Sequence, residues 1–165
     1  MENVVQVASY ISERYLSEFS ECIDEMKLHK LLYLVQRESL ILRGKPVFAD
    51  AFEAWRYGPV MACLRSLYAS NSLHQPLPEN SIAELKPVFD SVFSRYAGRS
   101  SWSLSDLTHG ETSWLNARKG LARDAAGNVP MSIDDIRHDA EYIKLRRRVM
   151  PAVRSLFKEN AFENH

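Results

Sequence analysis

The chain has 165 residues, 45% of them hydrophobic and 25% charged, with Lys+Arg and Asp+Glu at 21 each. Those proportions describe an ordinary globular domain, and zero net charge argues against a protein built to live on nucleic acid, which usually shows a basic excess. Two cysteines without metal-ligand spacing give no disulfide framework, and no apolar run approaches the ~20 residues of a membrane span. The opening MENVVQVASYISERYL lacks a basic segment followed by a long apolar run. No signal peptide is therefore expected, and the chain reads as cytoplasmic.

Helical periodicity dominates. Val4, Val7, Ala8 and Ile11 fall at i, i+3, i+4 and i+7 and predict a first amphipathic helix. DEMKLHKLLYLVQRESLILRG predicts the strongest helix, with Leu28, Leu31, Leu32, Val35, Ser39 and Leu42 on one face and Gly44 as its C-terminal cap. Tyr33, Leu34, Leu40 and Ile41 widen its apolar side, which marks a central, buried helix. KPVFADAFEAW then reads as extended chain. Phe52, Ala54 and Arg56 alternate with Glu53, Trp55 and Tyr57, a strand-like period that Gly58-Pro59 is expected to end. Pro59 is expected to open a helix through PVMACLRSLYAS, with Cys63 a small buried hydrophobe inside it.

NSLHQPLPENS is a polar loop. Val88, Phe89, Val92, Phe93 and Tyr96 predict a helix from near Pro87 to Gly98, and SLSD at Ser103–Asp106 resembles a capping box. TSWLNARKG is a short helix ending at Gly120, and AAGNVP is a turn. SIDD caps a long final helix carrying Ile136, Ala140, Ile143 and Leu145, which Pro151 should kink or break. No repeat or linker divides the chain. Residues 1–165 read as mainly α, a single compact helical domain with a small β-hairpin or extended segment near residues 46–57.

Chemistry is sparse. His29 lies in the central helix without a second ligand at metal spacing, so it reads as structural. THGETSW brings His109, Glu111 and Trp114 together at a helix junction, and a carboxylate near an imidazole raises its basicity. A hydrolase using His109 and Glu111 is thus the enzymatic alternative. No nucleophile elbow, third metal ligand or glycine-rich phosphate loop accompanies the pair. No catalytic residue, metal or cofactor is expected, and His109 reads as bonded to a helix end. In KLRRRV, Arg146, Arg147 and Arg148 fan over about 200° of helix surface, a poor stripe for phosphates. They read as a solvated face paired near Asp139 and Glu141, with no nucleic-acid partner.

The longer pattern resembles a known family. MKLHKLLYLVQ carries Lys27, Leu28, Lys30, Leu31, Leu32, Tyr33 and Gln36; GKPVF follows at Gly44–Phe48 and FEAWRYGPV at Phe52–Val60. LTHGETSW supplies Leu107, Thr108, His109, Glu111 and Trp114, with Ser113 where the family pattern has proline. These blocks are similar to the Panacea domain, the SocA-like antitoxins of bacteria and phages. The resemblance implies an antitoxin of a toxin–antitoxin system that neutralises a cognate protein toxin by direct contact. Its alternative is a proteolytic adaptor delivering a toxin to a AAA+ protease. It implies binding rather than catalysis, and no added DNA-binding unit matches here. Trp55, Arg56, Tyr57, His109, Glu111 and Trp114 are the signature positions and candidate partner contacts. Trp55, Arg56 and Tyr57 are expected chiefly to fix the strand-to-helix corner, with whichever side chain points outward free to touch the toxin.

Overall fold

Helix α2 (Glu25–Arg43) runs through the middle of the molecule, and every residue from Lys27 to Ile41 is buried. The computed structural model describes residues 1–162. Around α2 pack α1 (Val4–Phe19), α4 (Glu79–Val92), α5 (Ser101–His109) and α7 (Ile133–Phe162), with the short helices α3 (Arg65–Ala69) and α6 (Thr112–Ala117) at the periphery. A three-stranded antiparallel sheet, ordered β2-β1-β3, is formed by β1 (Glu53–Trp55), β2 (Gly58–Val60) and β3 (Val129–Pro130). The fold is mainly α with a small sheet.

Local chemistry sets the helix ends. Asn3 and Asp24 accept hydrogen bonds from Val5 N and Lys27 N, each at 2.8 Å, and so occupy free amides at the starts of α1 and α2. Gly44 closes α2 at φ +68°, a conformation in which glycine carries no side-chain penalty. Ser132 Oγ accepts from Asp134 N as α7 begins.

A fully buried helix must partner its own polar groups, because an unpaired charge in the interior costs several kcal/mol. The polar residues of α2 do so by reaching segments on either side of it in the chain. Lys27 Nζ donates to Tyr15 OH (3.0 Å), and Lys30 Nζ to the Pro59 carbonyl of β2 (3.1 Å). Gln36 pins the loop after α2 from both ends of its amide, to Phe48 O (2.9 Å) and from Val47 N (2.7 Å). Arg37 pairs with Glu111 and donates to Tyr96 OH. Glu38 accepts from Ser91 Oγ of α4 and from both terminal nitrogens of Arg147 on α7. The polar residues of KLHKLLYLVQRE are thus the fastenings of the fold.

Several boundaries differ from the sequence expectation. Gly58-Pro59 does not end the β-structure: the turn is Arg56-Tyr57, and Gly58–Val60 is the returning strand, with Trp55 opposite Gly58. Pro59 is tolerated because β2 is an edge strand, where a missing N–H breaks no ladder. The expected helix at Pro59 therefore opens later, with a 3₁₀ turn over Ala62–Leu64. That turn buries Leu64 and leaves Cys63 exposed, not buried as expected. α4 begins at Glu79 and carries Pro87 inside it. Pro87 and Ala83, whose carbonyl loses its donor, both face solvent, so water can satisfy that group. α5 is capped by Ser100, whose Oγ accepts from Ser103 N, rather than by SLSD. AAGNVP is more than a turn, since Val129 and Pro130 pair with β1. α7 continues through Pro151 in an exposed stretch, and Leu145 is 59% exposed rather than core.

Candidate partner-binding site

The β1–β2 hairpin is held from three sides. Behind it, Lys30 Nζ grips the Pro59 carbonyl, and Gly58 sits at φ +108° with no room for a side chain. A Cβ there would stand 2.6 Å from both Lys30 Cε and Thr108 Oγ1. Glycine is required at this position by conformation and by space alike. From α5, Ser105 Oγ donates to Tyr57 O (2.7 Å), while His109 Nε2 donates to Arg56 O (3.0 Å). From α6, Trp114 Nε1 donates to Trp55 O (2.9 Å), and Arg118 Nη1 to Ala54 O (3.0 Å). Four consecutive hairpin carbonyls, Ala54 to Tyr57, are thereby fixed by side chains of α5, α6 and the α6 C-cap Arg118.

His109 and Trp114 meet directly, stacked with ring centroids 4.3 Å apart. Because His109 Nε2 donates to a carbonyl, the neutral ring carries its proton there, and Nδ1 is a buried lone pair with no partner among the described residues. Burial lowers the pKa of His109. Glu111 faces elsewhere. It is buried against α2, paired with Arg37, and accepts from Tyr33 OH (3.3 Å). Burial pushes the Glu111 carboxyl above its ordinary value, Asp139 adds to this, and Arg37 pulls the other way. The structure does not join His109 and Glu111 into one catalytic pair.

Ser113 has its own place. Its Oγ lies 3.0 Å from Tyr33 OH, and its N–H, with that of Thr112, donates to the Asp139 carboxylate of α7 (2.9 and 2.8 Å). A proline there, with neither hydroxyl nor N–H, could make neither of the Ser113 bonds.

A model of the antitoxin SocA-like family, Panacea domain, matches residues 28–115. The chain belongs to this family. No curated protein and no solved structure matches it. The matched Panacea span runs from α2 into α6 and so contains the hairpin, Lys30, Ser105, His109 and Trp114, while Arg118 and β3 hold it from just beyond that span.

On the outer side of this Panacea hairpin the side chains reach solvent. Arg56 and Tyr57 are exposed, Arg56 lies over the Tyr57 ring, and Tyr57 meets Trp102 edge to face at 5.3 Å. Tyr57 is 42% and Trp102 60% exposed, so two aromatics and a guanidinium share one patch. Half-buried Trp55 lies beside it, with Arg65 over its ring and its Nε1 donating to Glu53. An open cleft of about 680 Å³ runs from Trp55 and Tyr57 past His29 and Lys30. Burial takes Lys30 down to about 8; burial and the Lys30 charge take His29 down to about 4. His29 Nδ1 accepts from Met61 N (3.1 Å), which fixes a neutral, structural ring.

Sequence reasoning does not single out Trp102 or Arg118, and it expects Asp139 beside the α7 arginines, whereas Asp139 accepts from the first amides of α6. Arg37 and Glu38 carry a signal, two adjacent charges set between the apolar runs LLYLV and LIL of α2. Trp102 has none, because an isolated aromatic near a cap carries no period. Among the described residues, no cluster of three or more His, Cys, Asp or Glu could hold a metal ion, and no helix is long and apolar enough to cross a membrane.

Proposed function

We propose that this protein is an antitoxin, acting in the cytoplasm, that neutralises a cognate protein toxin by direct contact and performs no catalysis. Membership of the Panacea family supports a protein partner. The division of labour within the family signature carries the reading further. Trp114, His109 and Glu111 face inward and serve as fastenings, whereas Arg56 and Tyr57 face outward beside Trp102. Tyr, Trp and Arg are the residue types that dominate binding energy at protein interfaces. The hairpin patch is the docking face.

A hydrolase reading finds little support. The lone pair that would take a proton, on His109 Nδ1, is buried, and Glu111 is engaged by Arg37 and Tyr33. A general base must reach its proton within hydrogen-bond distance.

Co-expression with the product of the neighbouring reading frame tests the proposal. Growth should be restored, and the two proteins should co-elute at fixed stoichiometry. Tyr57→Ala with Trp102→Ala should fold normally and weaken the complex by more than about tenfold, the range of a hot-spot loss. Protection that persists with no complex formed would overturn the proposal.

A further inference from the structure

A groove of about 930 Å³ lies between the second half of α7 and the wall made by α5 and the π-helical turn Phe93–Ala97. Its arginines divide into two sets. Arg37 and Arg147 lie at its base and are engaged, Arg37 by Glu111 and Tyr96, Arg147 by Glu38. The groove's two carboxylates are engaged as well, Glu111 by Arg37 and Asp139 by the first amides of α6. Arg95, Arg99, Arg146 and Arg154 are exposed along the rim, and among the described residues no carboxylate pairs with them. Arg95 and Arg99 are steadied through Nε by Ser91 and Ser103 (3.2 and 2.9 Å), which leaves their terminal nitrogens without hydrogen bonds among the described residues.

Two further features narrow the ligand. From Tyr142 to Phe157, α7 carries Lys144, Arg146, Arg147, Arg148 and Arg154 and no acidic residue, in a chain whose net charge is zero. Positive charge is therefore concentrated here. Leu107, Ile143, Met150 and Pro151 also line the groove. Tyr142, also in this lining, heads an exposed apolar seam on the adjoining face of α7 with Leu145, Val149 and Leu156, the four being 61%, 59%, 47% and 60% exposed at helical three- and four-residue spacing or its multiple.

We infer that this groove is a second docking surface, which takes an acidic, partly apolar segment of a partner protein. The inference rests on the reading of the chain as a binding protein, but not on the partner being a toxin. Carboxylates would meet the four rim arginines, which match them in a bidentate fork, while apolar side chains cover the seam in the manner of a helix laid in a groove. Nucleic acid fits less well. Phosphates have no use for the apolar lining, and the consecutive arginines fan around α7 instead of tracking a backbone. A second copy of the chain seated by this half of α7 would set arginine against arginine.

The test is fluorescence anisotropy on the full chain with three labelled probes. One is a helical peptide with leucine at three- and four-residue spacing and glutamate elsewhere; the second has lysine for glutamate; the third is a short DNA duplex. The acidic peptide should bind, the basic one should not, and raising salt from about 50 to about 200 mM should weaken binding. R99E/R146E/R154E should lose at least about tenfold in affinity with its circular dichroism unchanged, while Y57A/W102A should bind the peptide like the wild type. Should the charge-reversed chain fold poorly, the R99Q/R146Q/R154Q variant must show the same direction of loss. Equal binding of both peptides, unaltered affinity in the variants, tighter binding of the duplex, or a dimer that the variants dissolve would each overturn the inference. Neutralisation of a toxin by R99E/R146E/R154E at wild-type strength would leave the antitoxin reading standing without involving this groove.

Discussion

Trp114 and Trp55 are joined by a hydrogen bond, yet truncating them should cost different amounts. Trp114 is 3% exposed, stacks on His109 and donates to the hairpin, so Trp114→Ala should destabilise by roughly 3–5 kcal/mol through lost burial and a cavity. Trp55 is half-buried, with its indole donating to Glu53 and Arg65 lying over its ring, so Trp55→Ala should cost about 1–2 kcal/mol. Denaturant melts of the two variants check this; equal losses would mean that the hairpin is held from the opposite face. His29 makes a second prediction, in pH. Its ordinary value is 6.5 and its folded value about 4, chiefly through burial. Between those limits the unfolded chain binds a proton that the folded chain refuses, so acid favours unfolding. The contribution is complete above about pH 6.5 and is lost as pH falls toward 4. His29→Asn keeps an acceptor for Met61 N–H without the titration. Its melting temperature should fall less than that of the wild type between pH 6.5 and 4.5, and parallel curves would refute the assignment.

A forked contact fastens helix α7 to the middle of α2. Arg147 donates from both terminal nitrogens to Glu38, at 2.7 and 3.0 Å, and Glu38 is fully buried. Burial alone would push the Glu38 carboxyl up, but the bonds from Arg147 and Ser91 outweigh it and hold the group below its ordinary value. Arg147→Ala strands that carboxylate and should cost about 3 kcal/mol at neutral pH, the lower end for breaking a buried pair. Protonating Glu38 relieves the variant, whereas the wild type loses its ion pair in acid. The gap between them should therefore narrow as pH falls from 7 toward 4.5, which paired melts would show; a gap independent of pH would mean that packing, not charge, is lost. This contact also marks the limit of what the sequence discloses. α1 and α2 are legible because their apolar spacing and the Gly44 cap are local. Arg147 reads from sequence as a surface residue paired near Asp139 and Glu141, since its partner lies 109 residues away. The returning strand at Gly58–Val60 is illegible for a related reason, because Pro59 is permitted only once β2 is known to be an edge. Of the candidate site, the motif pointed to the hairpin and its helix junction, but which side chains face outward is decided by carbonyl contacts that no spacing encodes.

Across the whole molecule, the fastenings and the exposed contacts belong to different residues, and that separation makes catalysis and binding distinguishable by counting. An enzyme protects at amounts far below its substrate, whereas a binder protects only when it equals its target. His109→Gln offers the sharpest test of this difference. The glutamine amide nitrogen can take the place of Nε2 and donate to the Arg56 carbonyl, so the hairpin stays fixed, but no group remains that could accept a proton as imidazole does. Stability should fall by about 1 kcal/mol, from loss of the stack on Trp114. Protection in the cell should be unchanged and should track the ratio of the two proteins, saturating where they are equimolar. Glu111→Gln differs, because it leaves the buried Arg37 without its counter-charge; it should cost about 3 kcal/mol and protect only at temperatures where it stays folded. Titrating wild type and His109→Gln against a fixed amount of the neighbouring gene product, with growth and complex formation read together, gives the count. A fully folded His109→Gln chain that still binds the toxin but no longer protects, or wild-type protection far below equimolar, would restore the hydrolase reading.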